Sequence, residues 1–264
     1  MMHFNHKIGL VMSGGGTRGA YQMGVLHAMR ELGLYEQIEV VTGASIGAIN
    51  GALVAQGIWE QALDLWQNVR PHQVFNRLEA QSDAFYLPLL REWIEQGGIR
   101  VDGLKELLRS HLDEATIRQS PIDFGFVVYN RTTREGEELF ADKVDKGLLI
   151  EYVIASATFP VFQAHKIGEY EYLDGGLHSI LPTKMAFDRK ELDLVIAIDV
   201  AEASRFSLQQ WRWYRQYADR LVYIRPSKLL PSPMNFSQSA IEKQLDLGYR
   251  DGMKKLSQKL EAAA

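Results

Sequence analysis

The sequence contains no cysteine among its 264 residues. A disulfide framework, a thiolate metal site and a cysteine nucleophile are therefore all excluded. Nothing in the sequence requires an oxidising compartment. The polar segment 1–7 lacks the basic and then apolar order of a signal peptide, so we expect a cytoplasmic protein.

The sequence also lacks a long apolar run and an excess of basic residues. No stretch approaches the roughly 18 apolar residues of a membrane-spanning helix, so any membrane contact is expected to be peripheral. The formal net charge is −4, which offers no broad basic face to nucleic acid. Paired-histidine motifs and calcium loops are missing too, and we expect neither a metal nor another cofactor.

What remains is the composition of an ordinary globular protein. Hydrophobic residues make up 46% of the chain and charged residues 23%. A length of 264 residues is near the upper limit for one hydrophobic core, so we expect a single α/β domain over residues 1–264. We place its core at about residues 8–200 and regard residues 201–264 as a C-terminal extension with a strand and a helix.

The first third of the chain repeats a unit of apolar strand, glycine-containing turn and helix. Segments 8–12 and 38–41 are the predicted strands of the two units. Alternation of strand and helix predicts a parallel sheet with right-handed crossovers. The later predicted elements are strands at 124–129, 137–140, 161–173, 193–200 and 221–224, helices at 59–69, 102–112, 148–157 and from about 235, and an irregular helical segment at 71–98.

A serine occupies the second of these turns, in Gly43-Ala44-Ser45-Ile46-Gly47. A G-x-S-x-G motif between strand and helix is typical of a nucleophile elbow, a sharp and strained turn whose small neighbours keep the hydroxyl accessible. The N-terminus of the following helix would also favour developing negative charge. The alternative is a tight turn in which Ser45 only caps the helix.

The first turn contains the glycine-rich segment 14–19. Its consecutive glycines, Gly14, Gly15 and Gly16, allow backbone N–H groups to converge on one anion, as in an oxyanion hole or a phosphate site. Arg18 either adds positive charge there or braces the loop.

The same segment matches the dinucleotide-binding pattern G-x-G-x-x-G through Gly14, Gly16 and Gly19. That function would require an acidic residue at the end of the second strand, where Thr42 stands, and Glu39 comes too early. A nucleotide- or phosphate-binding module without hydrolytic activity therefore stays open as the alternative to an enzyme.

A serine nucleophile needs a base, and Asp174 is a candidate because Gly175 and Gly176 behind it leave space for a partner. An Asp-Gly turn that binds only its own backbone is the alternative. Among the seven histidines, His178 gives the chain order Ser45, Asp174, His178 of an α/β-hydrolase triad. The short gap between Asp174 and His178 makes this triad a minor alternative.

These motifs occur together in the order found in patatin-like phospholipases, and the chain resembles the bacterial members of that family. The resemblance rests on segments 14–19, 43–47 and 174–176, with support from segments 155–160 and 248–252. It spans most of the chain, and the joint occurrence of the motifs is much more specific than any one of them.

The resemblance implies a three-layer α/β/α fold with a mainly parallel central sheet, and a catalytic dyad in place of a triad. Ser45 would attack the acyl carbonyl of a lipid ester, and Asp174 would accept its proton. The amides of Gly15 and Gly16, with the preceding glycine beside them, would bind the oxyanion, and Arg18 would steady the loop. The glycines expected to support these motifs are Gly19, Gly43, Gly47, Gly175 and Gly176.

The resemblance implies a phospholipase A or lysophospholipase, with a soluble esterase or thioesterase as the alternative. Two aromatic segments could bring the site to a lipid. Segment 71–98 has the apolar bulk of a lid, and segment 211–217 mixes tryptophan, tyrosine and arginine in a way that suits lipid headgroups. Both could instead pack within the core or at a subunit contact.

Overall fold

The computed structural model describes residues 6–75, 97–201 and 214–263. Eight strands in these residues form one sheet. The strands are β1 (Ile8–Met12), β2 (Ile38–Ala44), β3 (Asp123–Asn130), β4 (Glu135–Phe140), β5 (His165–Ile167), β6 (Tyr170–Asp174), β7 (Leu194–Ile198) and β8 (Leu221–Ile224). The helices are α1 (Gly19–Glu31), α2 (Ile46–Gln56), α3 (Trp59–Asn68), α4 (Pro71–Val74), α5 (Asp102–His111), α6 (Glu114–Gln119), α7 (Leu149–Ser156), α8 (Thr183–Arg189) and α9 (Gln238–Ala263).

The sheet is mainly parallel, as the sequence predicts. Parallel pairs join β1 to β2 and β7, β2 to β3, and β7 to β8. Antiparallel pairs join β3 to β4 and β6, and β5 to β6. Neighbouring strands follow the order β5-β6-β3-β2-β1-β7-β8, and β4 also pairs with β3. β1 and β7 are buried at every position, because parallel strands of this kind are covered on both faces.

Alternate side chains of the central strands enter two separate cores. On one face Leu10 and Phe126 belong to the large core formed with α1, α2 and α9. On the other face Val11 and Val195 pack against α8 through Ala186. Because helices cover both faces of the sheet, the molecule has the three-layer α/β/α architecture that the resemblance implies.

The C-terminal helix α9 lies directly on α1. A side chain at Gly248 would collide with the carbonyl oxygen of Tyr21, so glycine allows the two helices to approach closely. Asp251, one turn further along, accepts hydrogen bonds of 2.9 Å from the Tyr21 hydroxyl and 2.9 Å from the Ser227 amide. The 248–252 motif therefore joins the last helix to the first helix and to the loop after β8.

Some predicted elements differ from those in the structure. Residues 161–173 do not form one strand, because β5 and β6 make a hairpin that turns at Gly168, with a φ of 60°. The sequence did not reveal α6 and α8, which are too short to show a clear helical period. Most of the irregular segment 71–98 and the first part of 211–217 lie outside the described residues. None of the helices in the described ranges is long and apolar enough to cross a membrane.

Candidate active site

Ser45 lies at the sharp turn between β2 and α2. Its backbone has φ 55° and ψ −127°, a positive-φ conformation that residues with side chains rarely adopt. A side chain at Gly43 would collide with the carbonyl of Gly47, and one at Gly47 would collide with the carbonyl of Met12. The turn therefore requires both flanking glycines, and the strained conformation predicted for this motif is confirmed.

The Ser45 hydroxyl does not cap the helix. Ser45 stands at the N-cap position of α2, but its side chain makes no capping hydrogen bond, so helix capping does not explain the serine at this position. Ser45 instead lines a cavity that also contains Asp174. Its amide donates a hydrogen bond of 3.0 Å to Oγ of Ser156, which fixes the backbone of the turn from the opposite side.

Asp174 lies next to the turn at Ser45, because β6, which ends at Asp174, pairs with the same edge of β3 as β2. β4 pairs with one edge of β3. Both β2 and β6 therefore pair with the opposite edge, one after the other along the strand. Here Ala44 pairs with Val127, and the next residue, Val128, pairs with Asp174. Asp174 thus occupies the position that Ser45 would take if β2 continued. The turn at Ser45 and the end of β6 therefore meet.

The two oxygens of the Asp174 carboxyl have different surroundings. The side chain is buried, and its Oδ1 accepts a hydrogen bond of 2.8 Å from the Gly176 amide. Oδ2 makes no full hydrogen bond with any described residue. The Asp-Gly turn considered as the alternative thus engages Oδ1 only. Oδ2 is left to interact with another group.

Burial raises the pKa of Asp174 to about 6, because the charged form loses its contact with water. The Ser45 hydroxyl and the Gly176 amide lower this pKa in part, since both stabilise the carboxylate. Ser45 therefore lies close enough to interact with the carboxylate, although it falls short of a well-formed hydrogen bond to Oδ2. Such contacts often tighten only when substrate is bound.

The segment 155–160 supports both residues, a role that the sequence did not reveal. Oγ of Ser156 accepts a hydrogen bond from the Ser45 amide, and the carbonyl of Thr158 accepts a hydrogen bond of 2.7 Å from the Asp174 amide. The Thr158 hydroxyl donates to the carbonyl of Ile154 at 2.9 Å and so secures the end of α7. The sequence signal was weak, because a buried serine in an alanine-rich stretch is also typical of plain helix packing.

The glycine loop contains four successive backbone amides, of which the outer two are engaged. The Gly14 amide donates to the carbonyl of Ile180 at 3.0 Å, and the Thr17 amide donates to the carbonyl of Pro233 at 2.8 Å. Gly14 was expected beside the anion-binding amides. Its amide instead attaches the loop to the segment after β6.

The inner two amides, those of Gly15 and Gly16, make no hydrogen bond within the described ranges of the chain. Both residues line the same cavity as Ser45 and Asp174. The structure thus brings two available donors to the serine and the carboxylate. Backbone amides without partners beside a serine and a carboxylate are the kind of donor from which oxyanion holes are built.

Arg18 braces the loop. It is 5% exposed, and its Nε donates a hydrogen bond of 2.8 Å to the carbonyl of Pro231. The neighbouring Thr17 hydroxyl donates to the carbonyl of Ser232 at 3.2 Å. The remaining predicted motif residues are near by: Gly19 begins α1, and Gly175 follows Asp174 at the end of β6.

His178 lies apart from this group. Its ring covers Gly136, where any side chain would collide with it, and its Nε2 is 4.0 Å from Oε1 of Glu138. His178 is also not among the described residues that line the cavity. The structure therefore brings Ser45 and Asp174 together without His178, and this geometry does not support the triad.

The cavity beside Ser45 has a volume of about 580 Å³ and mostly apolar walls. Ile46, Ile49 and Leu53 line it from one face of α2, and eight residues of helix between Ser45 and Leu53 span about 12 Å. The helices α3 and α5, each with the residue that follows it, contribute Leu65, Trp66, Val69, Leu104, Leu107, Leu108 and Leu112. This shape and polarity suit an alkyl chain whose ester lies at Ser45.

The geometry gives no support to nucleotide or metal binding. Glu39, the acidic residue considered for a ribose, is near the start of β2 and forms an ion pair of 2.9 Å with Lys190. In the ranges that the structure describes, no three His, Asp or Glu side chains are grouped so that they could hold a metal ion.

Comparisons with known sequences identify related proteins. A family model described as patatin-like phospholipase matches residues 10–187. Lysophospholipase nte1 of Aspergillus terreus is 51% identical over 50 residues, which are 19% of this chain and 3% of that protein. An uncharacterised NTE family protein of Mycobacterium tuberculosis is 24% identical over 202 residues, or 75% of this chain and 50% of that protein. The chain spans half or less of the length of these relatives.

Solved structures show the same fold. VipD from Legionella pneumophila superposes with a TM-score of 0.59 at 16% identity, covering 97% of this chain and 67% of that one. Human GIVD cytosolic phospholipase A2, in complex with methyl gamma-linolenyl fluorophosphonate, superposes with a TM-score of 0.55 at 14% identity, covering 97% and 58%. At these identities the likeness concerns the fold alone.

Proposed function

Because the chain belongs to the patatin-like phospholipase family, we propose that it is a serine acyl hydrolase that cleaves lipid carboxylic esters, of the phospholipase A or lysophospholipase type. One observation carries the proposal: Ser45, the buried Asp174 carboxyl and two amides without partners among the described residues share one apolar cavity. Nucleophile, base and oxyanion donors are the three parts that ester hydrolysis by serine requires.

In the proposed first step, Oγ of Ser45 attacks the acyl carbonyl carbon, and its proton moves to Oδ2 of Asp174. The carbonyl oxygen becomes an oxyanion that accepts hydrogen bonds from the amides of Gly15 and Gly16. When the tetrahedral intermediate collapses, the ester bond breaks. The leaving alcohol takes the proton from Asp174, and the acyl group stays on Ser45.

In the second step, Asp174 accepts a proton from a water molecule, and the resulting hydroxide attacks the acyl-Ser45 ester. The same two amides stabilise the second oxyanion. Collapse of this intermediate releases the fatty acid and returns the proton from Asp174 to Oγ of Ser45. Acyl transfer to water is complete, and each group has regained its starting state.

An ordinary aspartate is a weak base, and burial corrects this weakness. A pKa of about 6 lies much closer to neutral pH than the ordinary value of 3.8. General-base catalysis is most effective when the pKa of the base is near the working pH. The burial that leaves Oδ2 without a full hydrogen bond thus also makes Asp174 a better proton acceptor.

The apolar cavity supports a lipid substrate in preference to a small polar ester. Its walls can accommodate an alkyl chain along α2, and a lysophospholipase is among the related sequences. We also propose that the chain acts as a single acyl hydrolase domain and meets lipid by peripheral contact.

The test is covalent labelling by a fluorophosphonate, followed by intact-protein mass spectrometry. The wild-type protein is expected to gain one phosphonyl group, and Ser45→Ala is expected to gain none. Asp174→Asn is expected to label much more slowly and to lose p-nitrophenyl ester hydrolysis. Circular dichroism of both variants controls for folding.

Undiminished ester turnover by Ser45→Ala would refute the proposal. Saturable binding of a dinucleotide, without labelling of Ser45, would favour the non-hydrolytic alternative. Comparison of lysophospholipid micelles with soluble esters and acyl thioesters separates the lipase from a soluble esterase or thioesterase.

A further inference from the structure

Residues 231–236 contact the proposed active site from an unexpected part of the chain. They lie between β8 and α9, beyond the residues 10–187 that the family model matches. Even so, this segment both holds the glycine loop and lines the cavity. We refer to residues 231–233 as the clasp and to Met234 and Phe236 as the wall.

The clasp binds the glycine loop through three successive carbonyl groups. Arg18 donates to Pro231 at 2.8 Å, the Thr17 hydroxyl donates to Ser232 at 3.2 Å, and the Thr17 amide donates to Pro233 at 2.8 Å. A loop with three consecutive glycines loses much conformational entropy when it adopts a single state. The three contacts supply part of the free energy that holds it.

The clasp also reaches the loop at its most constrained residue. Gly16 has a φ of 56°, and a side chain there would collide with the carbonyl oxygen of Pro233. This carbonyl accepts a hydrogen bond from the Thr17 amide and so fixes the direction of the peptide group that follows Gly16. Residues 231–233 thus fix the loop at the peptide group directly after the two inner amides.

The wall forms the side of the cavity next to the clasp. Met234 and Phe236 both line the cavity that contains Ser45. The ring of Phe236 meets that of Phe75 edge to face, with 5.7 Å between centroids, and both belong to one apolar cluster with Phe162. An alkyl chain in the cavity would therefore contact this segment.

The protein core anchors the segment at its start. Leu230 is buried in the main hydrophobic core, immediately before the clasp. The Ser227 amide donates to Asp251 on α9 at 2.9 Å. The segment is therefore anchored to the core and to the C-terminal helix independently of its contacts with the glycine loop.

We propose that residues 231–236 are a part of the active site with two separable tasks. The clasp positions the Gly15 and Gly16 amides for the oxyanion, and the wall binds the acyl chain of the substrate. This inference rests on the proposed hydrolase function. Arg18 and Thr17 are positioning residues in it, because they act through the two glycine amides.

Variants of the clasp contacts are expected to change kcat and leave KM nearly constant. Arg18→Lys loses the Nε donor and should lower kcat by about 10- to 100-fold, since a displacement of about 1 Å at a reacting group costs that much. Thr17→Val loses only the hydroxyl bond and should lower kcat by a smaller factor. Because the oxyanion is common to all esters, the loss should be equal for butyryl and palmitoyl substrates.

The matched control for Thr17→Val is Thr132→Val. The Thr132 hydroxyl also has a backbone partner, the Glu171 amide at 2.9 Å, but it lies in the turn between β3 and β4. Thr132→Val removes one hydroxyl–backbone hydrogen bond away from the site and should keep the wild-type kcat, with the stability of both variants measured by urea unfolding. If Arg18→Lys fails to fold, the comparison of the two valine variants decides the question.

Phe236→Ala tests the wall and should give the opposite kinetic pattern. KM for a palmitoyl ester is expected to rise about 10-fold or more, whereas kinetics with a butyryl ester should stay within about twofold of wild type. An aromatic side chain in contact with an alkyl chain contributes free energy of that order.

Two results would overturn the proposal while the hydrolase function survives. One is an unchanged kcat in folded Thr17→Val and Arg18→Lys, and the other is an unchanged palmitoyl KM in Phe236→Ala. A fall in kcat of Thr132→Val equal to that of Thr17→Val would also overturn it, since the effect would then be general. If the wild-type protein cleaves no ester at all, the proposed function itself fails.

Discussion

The buried Asp174 carboxylate should make the free energy of unfolding smaller at neutral pH than at about pH 4. Its pKa rises from the ordinary 3.8 to about 6 in the folded chain, so the native state holds this proton more tightly than the unfolded state does. Stability therefore falls as pH rises from about 4 to about 6, and the full cost is present above pH 6. The interval between the two pKa values corresponds to about 3 kcal/mol.

Asp174→Asn should remove this cost. Asparagine has nearly the same volume as aspartate and carries no charge. Its side-chain oxygen can still accept a hydrogen bond from the Gly176 amide. The variant is expected to exceed the wild type in free energy of unfolding by up to about 3 kcal/mol at pH 8. The advantage should shrink below pH 6 to a small remainder near pH 4, and it should vanish at still lower pH, where the wild-type carboxyl is protonated in both states. Activity should change in the opposite direction, because the base is lost.

Urea unfolding of both proteins at several pH values between 4 and 8 measures the difference. Ser45→Ala is the control, because it keeps the carboxylate; it should show the pH-dependent cost at least in full, since loss of the hydroxyl removes a group that lowers the pKa of Asp174. In the wild type, kcat/KM should fall about 10-fold for each pH unit below about 6, as Asp174 becomes protonated. A stability difference that does not vary between pH 4 and pH 8, or full activity at pH 4.5, would refute the reasoning.

Two further predictions concern the histidine and the cavity. His178→Ala should retain kcat within about twofold, because the ring lies over Gly136 and away from Ser45; a loss as large as that of Ser45→Ala in the same p-nitrophenyl ester assay would restore the triad. Leu53→Trp should fill the part of the cavity about 12 Å along α2 from Ser45 and shift the chain-length profile toward short acyl esters, with little change for butyrate. An unshifted profile in the folded variant would place the acyl chain elsewhere.

Local features of this chain were predictable from its sequence. Strand, glycine turn and helix follow one another within a few residues, so the position of Ser45 between β2 and α2 could be inferred from neighbouring residues alone. The strain at Ser45 is typical of the same short motif, in which Gly43 and Gly47 leave the space that the tight turn needs. The parallel sheet followed from the repeat of this unit.

Non-local features were not predictable in the same way. The meeting of Asp174 with Ser45 depends on the pairing of β2 and β6 with one edge of β3, which no local pattern specifies. The carbonyl groups of Ile180 and Pro233 that engage two loop amides are backbone atoms, and every residue carries one. Ser156 was missed for a related reason, since its partner is the amide of a distant residue. The cytoplasmic location stays a prediction.

The end-to-end arrangement of β2 and β6 on β3 has a consequence for tolerance to change. The spacing of nucleophile and base is set largely by two adjacent residues of β3, since Val127 pairs with Ala44 and Val128 pairs with Asp174. Loops that do not contact the site, such as the turn between β3 and β4, can therefore lengthen or shorten without disturbing the chemistry. A slip of β6 by one residue along β3, in contrast, would shift the carboxylate by about 3.3 Å and turn it to the opposite face of the sheet.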